Sequence, residues 1–143
     1  MIANTFCLFA LVTAAMPAAA QSVASVEQVG ALNRADLLQS ARSEAMVSQL
    51  GAGGHIVRLE QHGDAYADIL QQGGGNVLGG FDALGNPDVL AAALSINASR
   101  LVLSQIGNGN HAFVQQDAGA IAHIIQDGTT NRVLIRQGSG SFP

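Results

Sequence analysis

Nine glutamines recur at near-constant spacing. Gln28, Gln39, Gln49, Gln61 and Gln71 lie 11, 10, 12 and 10 residues apart; after a gap of 34, Gln105, Gln116, Gln126 and Gln137 follow at 11, 10 and 11. A primary amide is not a useful acid, base or nucleophile near neutral pH, but it donates and accepts hydrogen bonds at once. Amides repeated at a fixed step therefore point to ladders, in which each side chain bonds its copy in the next layer. Reactive side chains are scattered by comparison. His55, His62, His111 and His123 share no ligand spacing; His62 with Asp64 and Asp68 is a conceivable cation site but reads as a surface loop. Gly79-Gly80-Phe81-Asp82 resembles a calcium-binding nonapeptide repeat but occurs once. Gly73-Gly74-Gly75 precedes no helix and reads as a bend, not a phosphate loop. No motif of paired carboxylates stands out. Neither an enzyme nor a bound cofactor or metal is expected.

The elements that must position the amides are strands. Counting back from each glutamine, positions −2 and −4 are Val26/Ala24, Leu37/Ala35, Val47/Ala45, Leu59/Val57, Ile69/Ala67, Leu103/Leu101, Val114/Ala112, Ile124/Ala122 and Ile135/Val133. All are aliphatic, and a period of two marks one face of a strand. Position +2 is always small, and Gly30, Gly51, Gly73, Gly107 and Gly128 fall there in bends between strands. Position −6 alternates serine or alanine with asparagine or histidine, so the repeat is a strand-turn-strand unit of about 22 residues. Five units result: 22–39, 43–61, 65–82, 99–116 and 120–137. In the third, Asn76 and Leu78 fit, but Gly80 and Asp82 stand where an aliphatic and a glutamine are expected.

One such unit cannot bury its apolar face alone, whereas stacked units can. The expected fold is all-β, a repeat β-solenoid with cross-β stacking, its five layers making a rod about 24 Å tall. Gln28, Gln49, Gln71, Gln105 and Gln126 would form one ladder, and Gln39, Gln61, Gln116 and Gln137 another. Asn33, Asn76, Asn110 and Asn131 would line a further amide column. Residues 83–98 interrupt the pattern; Asn86-Pro87-Asp88 there reads as the start of a short helix through Leu94, packed on the rod.

Composition agrees with a thin core. The chain has 143 residues, 48% hydrophobic but only 4% aromatic and 11% charged, with a net charge of −4 and no lysine. So few charges argue against disorder, and an acidic chain without lysine lacks the basic surface that nucleic acids require. Residues 1–20 carry no charged side chain, have an apolar stretch from Phe6 to Ala15, and end in Ala18-Ala19-Ala20; they read as a secretory signal peptide, with an uncleaved anchor as the alternative. The repeat domain is then 21–143. It contains no cysteine, because Cys7 lies in the leader, so neither disulfides nor thiol catalysis are available to it.

The spacing Ser-x5-Gln-x-Gly-x2-Asn-x-Ala-x3-Gln resembles the curlin repeat of bacterial curli fibre subunits. Two units match it in full: Ser22, Gln28, Gly30, Asn33, Ala35, Gln39, and Ser99, Gln105, Gly107, Asn110, Ala112, Gln116. The fifth keeps Gln126, Gly128, Asn131 and Gln137; the second keeps Ser43, Gln49, Gly51 and Gln61, with His55 in the asparagine slot and one extra residue. The resemblance implies a secreted subunit, of the major or the minor nucleating type, that polymerises with itself or sibling subunits into cell-surface amyloid fibres for adhesion and biofilm matrix. It also implies passage through an outer-membrane secretion and nucleation machinery. A soluble solenoid, acting as a surface adhesin or ligand-binding module without polymerising, is the alternative reading of the same repeats.

Overall fold

The computed structural model describes residues 10–14 and 22–138. The expected leader 1–20 lies outside the described residues, apart from the strand β1 at Ala10–Ala14. All regular elements among the described residues are strands. On one side of the rod, β2 (Val23–Val29), β4 (Glu44–Leu50), β6 (Tyr66–Gly74), β10 (Arg100–Asn108) and β12 (Ile121–Thr129) form a parallel sheet in that spatial order. On the other, β3 (Arg34–Ser40), β5 (Ile56–His62), β11 (His111–Gln116) and β13 (Arg132–Gln137) stack in parallel, with β7 (Val77–Phe81) and β9 (Ala93–Ile96) between β5 and β11. The strand β1 pairs with β3 in register from Ala10 opposite Ala35 to Ala14 opposite Gln39.

The rod is the expected β-solenoid with turns of about 22 residues. Gln28 lies opposite Gln49, Gln49 opposite Gln71, Gln71 opposite Gln105 and Gln105 opposite Gln126. Parallel in-register stacking follows from the period of two: a slip by one residue would turn the whole aliphatic face to solvent. The core between the sheets contains Ala35, Leu37, Ala45, Val47, Val57, Leu59, Ala67, Ile69, Leu101, Leu103, Ala112, Val114, Ala122 and Ile124, joined by Leu78 and Ala93. Ala24, Val26, Val133 and Ile135, in the two terminal layers, pack against it but are only partly buried.

The third layer differs from the sequence expectation. Its second strand was expected at 76–82 with an insertion at 83–98, but the strand leaves the stack after Gly79. Gly80 and Phe81 pair antiparallel with Asp88 and Pro87 of β8 (Pro87–Asp88), forming a hairpin. The chain then returns as β9, placing Ala93 opposite Leu59, and Ser95 opposite both Gln61 and Gln116. Ala93 and Ser95, not Gly80 and Asp82, therefore occupy the aliphatic and glutamine slots.

The helix expected from Asn86-Pro87-Asp88 does not form. The Asp82 carboxylate accepts the Asn86 and Leu84 N–H groups at 2.8 and 2.9 Å, and Asp88 accepts the Leu90 N–H at 2.8 Å. These side-chain turns capture the donors locally and hold the chain in a hairpin. The Asn86 N–H is the main reason the Asp82 carboxyl lies below its usual pKa. As expected, the excursion packs on the rod: Arg58 Nη1 donates to Leu90 O at 3.2 Å.

The central layers should contribute more stability than the ends. Ile69 is 1% exposed in the middle of the stack, so Ile69→Ala is expected to cost about 2–5 kcal/mol. Ile135→Ala, in the half-covered last layer, should cost less. Urea unfolding of freshly prepared monomer checks both.

Candidate functional site

The amide columns are the most regular chemistry on the rod. Gln28 Nε2 donates to Gln49 Oε1 at 2.5 Å, Gln49 to Gln71 and Gln71 to Gln105 at 2.8 Å each, and Gln105 to Gln126 at 2.7 Å. From Gln49 on, an N–H of each amide crosses to the opposite sheet. Gln49 donates to Arg34 O at 3.1 Å, Gln71 to Ile56 O and Gln105 to Val77 O at 3.2 Å, and Gln126 to His111 O at 3.1 Å. Gln49, Gln71 and Gln105 thus each tie their layer both to the next layer and to the facing strand. Gln49, Gln71 and Gln105 are fully buried, where an unpartnered amide would carry a desolvation cost of about 1–3 kcal/mol.

The second ladder is interrupted. Gln39 donates to Gln61 at 2.9 Å, and Gln116 donates to Gln137 at 3.3 Å. Between these pairs stands Ser95, whose hydroxyl bonds Ser99 at 2.7 Å. Gln116 Oε1 is consequently buried without a hydrogen-bond partner, one of two such side-chain atoms among the described residues.

The asparagine column has a different geometry from the glutamine ladders: its amides bond backbone, not one another. Asn76 Oδ1 accepts the Asn110 N–H at 3.0 Å and Asn110 Oδ1 accepts the Asn131 N–H at 3.1 Å. Asn110 Nδ2 donates back to Ile106 O at 3.0 Å and across to Gly128 O at 3.1 Å; Asn76 does the same to Gln72 O and Gly107 O. His55 reproduces two of these three bonds. Its Nε2 meets Leu50 O at 3.2 Å and its Nδ1 accepts the Asn76 N–H at 3.3 Å. The longer imidazole spans the one extra residue of the bend 50–55. Both bonds are satisfied by a neutral ring protonated on Nε2, and burial lowers the His55 pKa below its ordinary 6.5, against the pull of the Leu50 and Gly73 backbone.

The bends explain the glycines. Gly107 has φ +106°, and a Cβ there would overlap the carbonyl of Gly128 in the next layer. Gly30, Gly51 and Gly73 are in the same position relative to the layer that follows each of them.

No protein-family model, curated protein or solved structure matches this chain. The functional reading therefore rests on the stack itself. His62 bonds Glu60 at 2.6 Å and Ser40 at 2.7 Å, while Asp64 pairs with Arg42 at 3.1 Å. Asp68 faces outward from the other sheet in β6, so His62 and Asp64 are engaged separately and Asp68 lies on a different sheet from His62. Sequence reasoning missed the outer-face stacking of arginines on rings: Arg100 over Tyr66 at 4.8 Å, Arg132 over Phe113 at 5.2 Å and Arg136 over Phe81 at 5.1 Å. The first pair occupies one outward slot in adjacent layers, which the repeat alignment already contains; Arg132 lies opposite His111 and reaches Phe113 two residues further along β11.

Gln71→Leu should orphan Gln105 Oε1 and remove the acceptor of Gln49 Nε2, costing about 1–3 kcal/mol for each group, as read by denaturant unfolding. His55 makes stability depend on pH. Its folded pKa lies below 6.5, so the unfolded chain takes up the proton more readily; the contribution is complete above about pH 6.5 and is lost as pH falls from there. Unfolding of His55→Asn across pH 5–8 should show a flatter pH profile than the wild type, whatever its absolute stability.

Proposed function

We propose that this chain is a secreted structural subunit that polymerises end to end into curli-type amyloid fibres on the bacterial surface, serving adhesion and biofilm matrix. One observation carries the reading. Among the described residues, the stack stops at β12 and β13 without a covering strand, and that last layer repeats the interior slots with Gln126, Gly128, Asn131 and Gln137. An open strand edge is a template for another strand, which natural proteins usually blunt with proline, bulges or inward charges. Here the edge strands carry none of the prolines, and their inward positions are Ala122, Ile124, Val133 and Ile135. A contact between one end and the other does not close on itself and so makes a filament. The curlin-like spacing of the repeats supports the same reading and brings with it the expectation of export through an outer-membrane machinery and of sibling subunits as partners.

The polymer reading predicts that the purified chain, incubated without denaturant, gives fibres with a meridional reflection at about 4.7–4.8 Å. Addition of preformed fibres should remove the lag. Persistent monomer by light scattering, with unchanged circular dichroism, would favour the soluble solenoid instead.

A further inference from the structure

We propose that the bend 128–131 of the last layer is a preformed docking notch for the bend 30–33 of a second copy, kept open by the lack of a side chain at Gly128. This rests on the polymer reading and adds to it the atoms that engage and the direction in which they must meet.

Interior layers show what the notch is built to receive. At each step where Gly30, Gly51, Gly73 or Gly107 meets the following layer, a glycine carbonyl of that layer fills the space a Cβ would need. Among the described residues that space is open over Gly128: the nearest atom to a Cβ there is Asn131 Nδ2 at 3.7 Å. The asparagine below shows the second contact. Asn110 Nδ2 uses one N–H on Ile106 O and the other on Gly128 O, and its Oδ1 takes the Asn131 N–H. Asn131 Nδ2 makes the first of these bonds, to Asp127 O at 2.8 Å. Its remaining N–H matches Gly30 O of an incoming copy, and its Oδ1 matches the Asn33 N–H. The third contact is the ladder, where Gln126 Nε2 meets Gln28 Oε1 of the copy.

The ladder has a sense. Every Gln-to-Gln bond runs with Nε2 donating toward the C-terminal layer, so that layer presents donors and the first layer presents acceptors. Two C-terminal layers placed face to face would oppose N–H to N–H, and both would lack the carbonyl that fills the notch. Only the first layer of a second copy completes all three contacts. On that layer the β2 edge is free among the described residues, while β3 carries Ala10–Ala14. The β13 of the copy that offers the notch therefore takes the place of the incoming copy's β1.

Gly128→Ala tests the notch. Alanine at φ +106° is strained, so folding is first confirmed by circular dichroism. The variant is expected to elongate about tenfold slower than wild type or worse, the equivalent of 1.4 kcal/mol at the docking step. Added in small proportion to wild-type chains, it should also arrest elongation, because its intact bend 30–33 seats on a fibre end and then offers a blocked notch. Should it not fold, Asn131→Asp decides, since it leaves Gly128 intact but sets a carboxylate against the incoming Gly30 carbonyl; slowed elongation is again expected. Elongation at the wild-type rate by folded Gly128→Ala, or by Asn131→Asp where alanine does not fold, would overturn the notch while leaving the polymer reading in place. Wild-type chains that never form fibres would overturn the polymer reading and the notch with it.

Discussion

The constraint on which the structure depends is the satisfaction of buried primary amides. Gln49, Gln71 and Gln105 have no contact with solvent, and each has two donors and an acceptor to satisfy. In-register stacking meets that demand: one N–H goes to the amide of the next layer, and the other crosses to the backbone of the facing strand. The amides thereby fix the spacing of layers along the rod and the separation of the two sheets together. Aliphatic neighbours at positions −2 and −4 supply the burial, but they would tolerate several sheet offsets that the amides do not.

The same constraint sets the composition. Two sheets held this close by glutamine leave room for Ala, Val, Leu and Ile between them, and the rings sit elsewhere. Arg100 stacks on Tyr66 at the outer face, and Arg132 covers Phe113, which points away from the inter-sheet core but is itself buried; a guanidinium over a ring uses both apolar area and charge. Glycine is required for a separate reason: the bends approach so closely that one layer's carbonyl fills the next layer's Cβ position. A fold of this kind does without cysteines in its repeats, because backbone pairing and amide columns run the length of the rod.

Both His55 and Ser95 show how far a slot can depart from the pattern. His55 replaces an asparagine where the bend is one residue longer, and its ring restores two of the three bonds that the amide would make, to the Leu50 carbonyl and from the Asn76 N–H. It thereby introduces a titratable group into a column that otherwise has none. Ser95 replaces a glutamine and restores nothing: the ladder stops there and Gln116 Oε1 is left unpartnered. One substitution keeps the column's link between layers, the other is a break in an otherwise repeated column.

Much of this was legible from the residues alone. A period of two, nested in a period of about 22 residues, determines parallel in-register stacking, because any other alignment buries amides without partners or exposes the aliphatic face. The core and the first glutamine ladder followed from that counting. The third layer did not. Counting along the chain assigns Gly80 and Asp82 to it, whereas the layer is completed by Ala93 and Ser95 after a hairpin excursion. Chain order cannot reveal which of two small residues returns to a slot; that is decided by the edge the neighbouring strands leave open and by where Asp82 and Asp88 turn the backbone. Tertiary structure alone also decided the sense of the ladder, since an amide's orientation depends on the carbonyl facing it across the rod and not on its own place in the repeat.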